Sequence, residues 1–515
     1  MINWLNIFRR KSNDQRGEYF DIKNYTQADQ PLPNFEDIRD KLPAPILKDN
    51  PEWIKMYWKC WKLAFAHFRK VKPNSGFVAD YIDEAFSDNI FQWDTIFMLM
   101  FARYGNHIFP SIRSLDNFYA RQHKSGYICR ETSEINGEDF VFLGRKHTVN
   151  PPLFSWVEME NFKLTGDLSR LKLILLPLIE YANWLEQKSD FITANGKKWE
   201  SYGRRSNQSK HNLYWNTGLG SGMDNLPRNG NGSVDMSSQI VIQYNYLAKI
   251  CQKLGLTKSK KIYQNRAKVI AAQINQWCWN EVDGFYYDVD NNGRQIKHKT
   301  VSTFWPLLAG IADKVQVQKL VAHLKDPKTF WRPFIFPSLA ADQKSYAQNG
   351  DYWRGGVWAP TNYMIIKGLE NYGYYNFAKI ATEKYLSGLA EVFKSTNTLW
   401  ENYAPESFTP GNPAKKDFVG WSGCGPIALL IENVLGFECD ANNKHLTWRI
   451  KRKDRHGIKN LHFGSICVSA IYEPTNEKGK IITITTNQSI ELILIHKGKK
   501  QKYMIKQGTQ NLFLN

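Results

Sequence analysis

The chain has 515 residues, of which 42% are hydrophobic, and its 68 Lys and Arg against 49 Asp and Glu give a formal net charge of +19. With 34 Gly and 21 Pro, this composition is that of a globular protein and excludes collagen-like, low-complexity and disordered classes. No stretch approaches the roughly 18 uninterrupted apolar residues that a membrane-spanning helix needs, so we expect no membrane insertion.

The aromatic residues bear on the kind of ligand, and the cysteines bear on the cellular compartment. The chain contains 18 Trp, 25 Tyr and 29 Phe, and aromatic rings suit the flat C–H faces of sugars, which weakly favours a carbohydrate ligand. The seven cysteines form no CxxC pair and no Cys/His zinc spacing, so we expect buried thiols in a reducing compartment. Residues 1–13 do not resemble a signal peptide, because no apolar region follows Arg9 and Arg10, and we expect a cytoplasmic location.

The positive charge is concentrated at the C-terminal end. Residues 441–515 hold 14 Lys and Arg against 4 Asp and Glu, and no helix-turn-helix, RNP, KH or zinc-finger pattern accompanies them. A solvated basic face explains this surplus, with loose attraction to acidic polymers as the alternative. We therefore predict no nucleic-acid partner.

In chain order, residues 1–50 are polar and punctuated by proline, which predicts an extended lead-in. From 51 to 438 the apolar residues recur with helical period. One such stripe consists of Ile262, Ala267, Ile270, Ile274 and Trp277.

Twelve helices are predicted over this region, and consecutive helices pair as hairpins. The segments lie near 51–71, 90–105, 111–122, 154–165, 168–187, 235–254, 258–279, 301–311, 315–325, 359–372, 374–393 and 421–435. Six hairpins can close into a toroid, with a pocket at one end formed by connecting loops. The long connections 123–153 and 188–234 are of a length that is usually functional or disordered.

The pattern changes after residue 438. Apolar residues alternate with period two over 466–472, 482–484 and 490–494, and turn residues separate these runs. We predict that residues 439–515 form a basic, β-rich appendage, a small antiparallel unit that packs on the helical body.

Four loops place a carboxylate or Arg beside Trp. They contain Trp93–Asp94, Asp224–Asn225, Tyr352–Trp358 and Trp400–Glu401. Hydrolysis of a glycosidic bond needs one carboxylic acid to protonate the leaving oxygen and a second carboxylate to activate water or attack the sugar. Each residue also has a simpler explanation: Asp224 as a turn residue, Asp94 as a helix start, Glu401 as a salt-bridged acid and Arg354 as a helix cap.

Together these segments resemble glycoside hydrolase family sixty-three, which contains processing α-glucosidase and mannosylglycerate hydrolase, and more distantly the trehalases. The matching stretches are SGMDN with Pro227–Arg228, YWRGGVWAPTNY, WENYAPE, FVGWS and NPPLFSW, in the family's order over about residues 50–435. Two departures are Gly356, where the family usually has Pro, and Asn150, where Gln often precedes the Pro pair.

The resemblance implies an (α/α)6 barrel and an inverting mechanism with Asp224 as general acid and Glu401 as general base. It implies an oligosaccharide or small glycoside substrate with an α-linked gluco- or manno-configured sugar. It also implies a set of substrate-binding residues: Trp93, Asp94, Asn150, Trp215, Asn225, Arg228, Tyr352, Trp353, Arg354, Trp358, Trp400 and Trp421. The alternatives are an inactive sugar-binding barrel and a trehalase-like, phosphorolytic or lyase enzyme.

Residues 288–293 begin like a calcium loop, D-x-D-x-N-G. Lys299 stands at the twelfth position, where such a loop requires a bidentate Glu, so the segment predicts a β-hairpin turn instead. We expect no metal and no cofactor, because two carboxylates suffice for the chemistry. A monomer or small homo-oligomer is expected.

Overall fold

The computed structural model describes residues 16–21, 31–84, 87–140, 149–187, 209–216, 218–227, 232–474 and 480–514. Within these ranges the protein is mainly helical, with a smaller sheet part at the C-terminal end. Of the predicted site residues, Arg228 lies outside the described residues.

All twelve predicted helical segments contain a helix. These are α1 Pro51–Ala66, α2 Gln92–Ala102, α3 Ser114–Ala120, α4 Phe154–Thr165, α5 Leu168–Glu186, α6 Val234–Lys253, α7 Thr257–Trp277, α8 Trp305–Ala309, α9 Lys314–Lys325, α10 Ala359–Asn371, α11 Tyr375–Thr396 and α12 Gly425–Leu435, the last with π-helical hydrogen bonding. Shorter helical pieces are Phe35–Ile38, Arg39–Lys41, Arg103–Gly105, Ser111–Arg113, Gly218–Ser221, Val301–Phe304, Ser422–Cys424 and Ala441–Asn443.

Local sequence explains where several helices begin. Helix α9 starts at a capping box, in which Asp313 Oδ1 accepts from Gln316 N–H at 2.8 Å and the Gln316 amide oxygen accepts from Asp313 N–H at 2.8 Å. Helix α5 starts after Asp167, whose carboxylate accepts from the backbone of Ser169 and Arg170. Helix α1 has Pro51 at its first position, where a missing N–H costs nothing.

The even-numbered helices form the inner set. All eleven residues of α2 and all five of α8 are buried, whereas α7 buries only four residues along one stripe. The inner helices contact one another in the order α2, α4, α6, α8, α10, α12, and α12 contacts α2. Outer helices pack on this set, for example α7 on α6 and α11 on α12.

Buried ion pairs link the helices. Arg170 of α5 pairs with Glu158 of α4 at 2.7 Å and with Asp116 of α3 at 3.1 Å, and all three are buried. Arg103, just after α2, pairs with Glu160 of α4 at 3.1 Å and also contacts α12. These guanidinium groups neutralise carboxylates that burial would otherwise destabilise.

The sheet part is larger and less regular than predicted. Its strands are β1 Ala44–Leu47, β2 Phe437–Asp440, β3 His445–Ile450, β4 His456–Phe463, β5 Ile466–Pro474, β6 Lys480–Thr486, β7 Ile490–His496, β8 Lys499–Ile505 and β9 Gly508–Leu514. One sheet has the order β1-β4-β5-β6-β9 and the other β2-β3-β7-β8. The predicted strands are present, but the unit is not wholly antiparallel, because β3 and β7 pair in parallel.

The sheet part packs on the helical body as predicted. Helix α4 contacts β2, β4 and the turn between β2 and β3. The lead-in contributes β1, which pairs antiparallel with β4. Residues before position 51 thus share a sheet with residues after 439, and the predicted division at these two points stays a prediction.

Four short ladders complete the described structure. They pair Phe68–Arg69 with Tyr81–Ile82, Asn89–Phe91 with Glu131–Ser133, Trp279–Asn280 with Phe285–Tyr286, and Asp288–Val289 with Gln295–Ile296. The last is the hairpin predicted in place of a calcium loop, and Asp290 Oδ1 accepts from the N–H groups of Asn292 and Arg294 within its turn.

The cysteines are free thiols, and six of the seven are buried, while Cys467 is half-buried. None of the helices in the described ranges combines the length and the apolar character needed to cross a bilayer.

Candidate active site

The segment that carries the predicted general acid makes one helical turn and then bends. Ser221 closes the turn Gly218–Ser221 by donating from Oγ to the Gly218 carbonyl at 2.8 Å. Met223 N–H lies 3.2 Å from that same carbonyl. The bend leaves Asp224 and Asn225 exposed at its tip.

Two buried polar side chains hold this turn from outside. Asn150 Nδ2 donates to the Gly220 carbonyl at 3.1 Å, and Arg130 Nη1 donates to the Leu219 carbonyl at 3.1 Å. Asn150, predicted to bind sugar, therefore uses its amide nitrogen on the backbone of the acid-bearing turn. Arg130 was not predicted, because no motif in the sequence distinguishes it.

Trp93 supports the same turn from below. Gly222 has φ +75°, and a Cβ built there would lie 2.8 Å from Trp93 Cδ2, so only glycine allows this close approach. The indole is 2% exposed and packs against the rings of Phe97 and Trp305. Trp93 thus packs directly against the turn that carries Asp224 and supports it.

Glu401 is fixed by hydrogen bonds at both carboxylate oxygens. Tyr352 Oη donates to Oε1 at 3.0 Å, and Lys415 N–H donates to Oε2 at 3.1 Å. Its own backbone N–H donates to the Lys415 carbonyl at 2.9 Å, and its carbonyl accepts from Trp421 Nε1 at 2.9 Å. These bonds hold the side chain in one orientation.

Tyr352 lies in a strained turn. Asp351 has φ 33° and Tyr352 has φ 62°, a left-handed conformation that costs an L-residue roughly 1–2 kcal/mol. The surrounding structure compensates, because the Tyr352 carbonyl accepts from Gly356 N–H at 3.1 Å and from Trp358 Nε1 at 3.2 Å. Such strain concentrates at functional sites.

Gly356, the departure from the family pattern, is required by this turn. A Cβ built on it would lie 2.2 Å from the Tyr352 carbonyl oxygen. Its N–H also donates to the carbonyls of Gly350 and Tyr352, and proline has no N–H. The turn as it stands therefore excludes proline at position 356.

A buried aromatic stack lies behind Tyr352 and Glu401. The rings of Trp353 and Trp358 stack 3.9 Å apart at an angle of 2°, and Trp358 packs against Trp421 at 5.6 Å. All three indoles are buried. They form a rigid wall and leave the half-buried Tyr352 ring in front of them.

The carboxyl groups of this region influence one another. Burial raises the pKa of Asp94, and the charges of Glu401 and Asp224 raise it further. Asp224 lies at the surface, but the protein around it displaces part of its water, and this raises its pKa. The nearby Arg130 guanidinium acts in the opposite direction and lowers the pKa of Asp224. Burial raises the pKa of Glu401, and the hydrogen bonds from Lys415 and Tyr352 oppose that rise. The three carboxyls are thus close enough to form one electrostatic group.

Two further charged residues belong to this group and were not predicted. Glu84 is buried, its Cβ packs near Gly420, and burial together with Asp83 and Asp94 raises its pKa. Lys415 is exposed at the surface, but partial loss of water around its ammonium group lowers its pKa, and the charges of Glu401, Glu84 and Asp94 oppose that change. Neither residue lies in a recognisable motif.

Three other predicted residues lie at the edges of the site. Arg354 is exposed and pairs with Asp351 at 2.5 Å. Trp400 is half-buried and donates from Nε1 to Thr396 Oγ1. Trp215 is buried in a segment next to the start of α6, where the neighbouring Asn216 N–H donates to Ser233 Oγ.

The site therefore offers an exposed carboxyl with a raised pKa and a carboxylate anchored by two hydrogen bonds, in front of an aromatic wall. Among the described residues, no group of His, Cys, Asp and Glu is arranged to hold a metal ion. Hydrolysis of a glycosidic bond requires two carboxyl groups, one to donate a proton and one to act as base or nucleophile.

Comparison with known proteins agrees with this chemistry. A family model described as the mannosylglycerate hydrolase MGH1-like glycoside hydrolase domain matches residues 89–422. The chain belongs to this family of glycoside hydrolases, which confirms the predicted resemblance and the predicted class of enzyme.

Individual relatives are distant. An uncharacterized protein of Borreliella burgdorferi is 26% identical over 394 residues, covering 74% of this chain and 77% of its own. A probable mannosyl-oligosaccharide glucosidase of Schizosaccharomyces pombe is 26% identical over 282 residues, 50% of this chain and 34% of its own. The mannosylglycerate hydrolase of Thermus thermophilus, solved with glucose, superposes with a TM-score of 0.54 at 16% identity over 72% of this chain and 98% of its own, which shows a shared fold.

Proposed function

We propose that this protein is an inverting glycosidase that cleaves an α-linked gluco- or manno-configured sugar, with Asp224 as general acid and Glu401 as general base. The observation that carries the proposal is geometric: Asn225, next to Asp224, forms hydrogen bonds with the residues on both sides of Tyr352, and Tyr352 Oη donates to Glu401 at 3.0 Å. Two carboxyls that lie 177 residues apart in sequence are thereby linked in front of one aromatic wall. The family membership supports the reaction class.

The surroundings of the two carboxyls support this division of roles. Glu401 accepts two hydrogen bonds, which favour its ionised form, as a base requires. Asp224 accepts no hydrogen bond from any residue that the structure describes, and loss of water favours its protonated form, as an acid requires. An inverting enzyme would hold the two groups about 6.5–9.5 Å apart to admit a water.

We infer that the helices close into an (α/α)6 barrel. The cyclic order of contacts among the six inner helices supports closure, and so does the fold shared with the Thermus enzyme. The acid-bearing turn precedes α6, the Tyr352 turn precedes α10 and Glu401 precedes α12, so all three connections lead into inner helices. They would then meet at one end of the barrel.

The substrate class rests on the relatives. One is titled a mannosyl-oligosaccharide glucosidase and another a mannosylglycerate hydrolase, so we propose a glucosyl or mannosyl glycoside. Tyr352, Asp94, Trp400 and Arg354 are the proposed contacts to the sugar. The trehalase-like, phosphorolytic and lyase routes remain as alternatives to be tested by product analysis.

The test is a digest of α-glucosides, α-mannosides, mannosylglycerate and trehalose, with proton NMR of the first anomer released. An α-linked substrate that gives the β-anomer establishes inversion, and the α-anomer would contradict it. Asp224→Asn and Glu401→Gln are each expected to lower kcat by at least about a hundredfold. Glu473→Gln, an exposed acid paired with Arg455 in the sheet part, is the matched control and should keep full activity. Full activity in both active-site variants would refute the assignment.

A further inference from the structure

Asn225, the residue after the proposed acid, uses both ends of its amide on the turn that precedes α10. Its Nδ2 donates to the Asp351 carbonyl at 2.9 Å, and its Oδ1 accepts from Trp353 N–H at 2.7 Å. The side chain therefore bridges the residues on either side of Tyr352. Each end of the amide thus has a backbone partner, and the prediction that Asn225 binds the sugar stays a prediction.

The bridged turn needs support. Asp351 and Tyr352 are consecutive non-glycine residues with positive φ, 33° and 62°. The Tyr352 carbonyl is held from within the turn, by Gly356 N–H and Trp358 Nε1. The Asp351 carbonyl is also held within the turn, by Arg354 N–H at 3.3 Å, but among the described residues Trp353 N–H donates only to Asn225.

The bridged turn also positions Glu401, the proposed base. Tyr352 Oη donates to Glu401 Oε1 at 3.0 Å, and the Tyr352 ring packs edge-on against Trp358 at 4.9 Å. A continuous chain of covalent and hydrogen bonds thus runs from Asp224 through Asn225 and the turn to Tyr352 and Glu401. No other residue named in the site connects the acid-bearing turn with the base in so few steps.

We propose that Asn225 is a positioning residue that fixes the acid relative to the base, by clamping Asp351 and Trp353 so that Tyr352 stays in its left-handed conformation and in contact with Glu401. This rests on the proposed function, because it presupposes that Asp224 and Glu401 are the acid–base pair. Asn225 touches no reacting atom in this role.

The proposal has a readout in the pH dependence of kcat. Four groups face Glu401: Tyr352, Lys415, Asp224 and Asp94. Of these, Tyr352 and Lys415 stabilise the ionised form. Removal of the Tyr352 hydrogen bond raises the pKa of Glu401, and since the base must be ionised, the acidic limb of the kcat profile moves to higher pH.

The experiment compares Tyr352→Phe, Asn225→Ala and the double variant. We expect Tyr352→Phe to move the acidic limb upward by about one pH unit, a tenfold loss of rate below the limb. Asn225→Ala should produce most of that shift, and the double variant no more than Tyr352→Phe alone. If Asn225→Ala does not fold, Asn225→Ser takes its place.

A matched control exists in the sheet part. Asn487 Oδ1 accepts from Cys467 N–H at 2.8 Å and its Nδ2 donates to the Ser465 carbonyl at 3.0 Å, the same bridge across one residue. Asn487→Ala should leave the limb unmoved, because that bridge supports no site residue. Any loss of stability common to the two Asn→Ala variants is thereby separated from positioning.

Three results would overturn the proposal. In the first, Asn225→Ala leaves the acidic limb in place and raises only KM, which indicates sugar binding. In the second, the shifts of the two single variants add up in the double variant, and in the third, Asn487→Ala moves the limb as far as Asn225→Ala does. If Tyr352→Phe itself leaves the limb in place while Asn225→Ala moves it, then Glu401 is not the base, and the proposed function fails rather than the clamp alone.

Discussion

Replacing Gly222 by Ala tests whether Trp93 positions the acid-bearing turn. The added Cβ would lie 2.8 Å from Trp93 Cδ2 and 2.9 Å from Cγ, whereas ordinary contact begins near 3.4 Å. The turn or the indole must therefore move by about 0.6 Å, the difference 3.4 − 2.8. The indole is buried against Phe97 and Trp305, so we expect the turn to move.

The magnitude follows from two contributions. The left-handed φ of +75° costs an alanine roughly 1–2 kcal/mol. Overpacking against Trp93 adds about 1–3 kcal/mol if the turn stays in place. If the turn moves instead, the displacement shifts Asp224, and a shift approaching 1 Å lowers kcat by about a hundredfold.

Gly255→Ala separates these contributions. Gly255 has φ +74°, and a Cβ there meets nothing within 4 Å, so it carries the conformational cost alone. Urea unfolding and kcat on an aryl α-glycoside are measured for both variants. We expect Gly255→Ala to lose about 1–2 kcal/mol with unchanged kcat, and Gly222→Ala to lose more stability or at least tenfold in kcat. Identical behaviour of the two variants would refute the supporting role of Trp93.

Two further predictions concern the buried ion pairs. Arg170→Met leaves Glu158 and Asp116 without their cation and should cost about 3–5 kcal/mol in urea unfolding; an unchanged midpoint would contradict it. The charges of Lys163 and Arg103 lower the pKa of Glu160 to about 2 despite burial, so from an unfolded value of 4.5 the ionised form adds about 3 kcal/mol of stability. That contribution is present above pH 4.5 and is lost as the pH falls towards 2. Glu160→Gln should therefore have a lower free energy of unfolding than the native protein, by a difference that shrinks over this range. A difference independent of pH would disprove the linkage.

The helices could be predicted because their signals are local. Apolar period and turn residues located all twelve segments, although not every buried position. Ile262, assigned to the buried stripe of α7, is 52% exposed, and Tyr263 takes its place because it lies four residues before Ala267. The π-helical bonding of α12 has no local signal in the sequence.

The sheet part shows the limit of local reasoning. Alternation identified β5, β6 and β7, but pairing is set by tertiary contacts. The lead-in was predicted to be extended, which β1 is, yet nothing in residues 44–47 indicates that they pair with β4 about 410 residues later. The parallel pairing of β3 with β7 likewise depends on which faces of the two strands are buried.

The candidate site, like the sheet part, could be predicted from the sequence only in part. Sequence motifs predicted Asp224, Glu401 and Tyr352 as site residues, and the structure brings them together, but residue type alone could not tell which side chains face the site and which are buried behind it. Trp358 was predicted to bind sugar and is fully buried in the stack behind Tyr352. Arg130 went unnoticed because the partner of its guanidinium at the acid-bearing turn is a backbone carbonyl, that of Leu219, which no motif marks. Lys415 went unnoticed because it contributes its backbone N–H, which any residue except proline can supply.

Gly356, where the sequence departs from the expected family pattern, bears on the conformation of Tyr352. In this chain the turn before α10 reaches its left-handed conformation with a glycine that supplies an N–H and has no Cβ, so a proline there would remove a hydrogen bond and collide with the Tyr352 carbonyl. Gly356 and the proposed Asn225 clamp therefore support the same turn, the one from which Tyr352 Oη donates to Glu401.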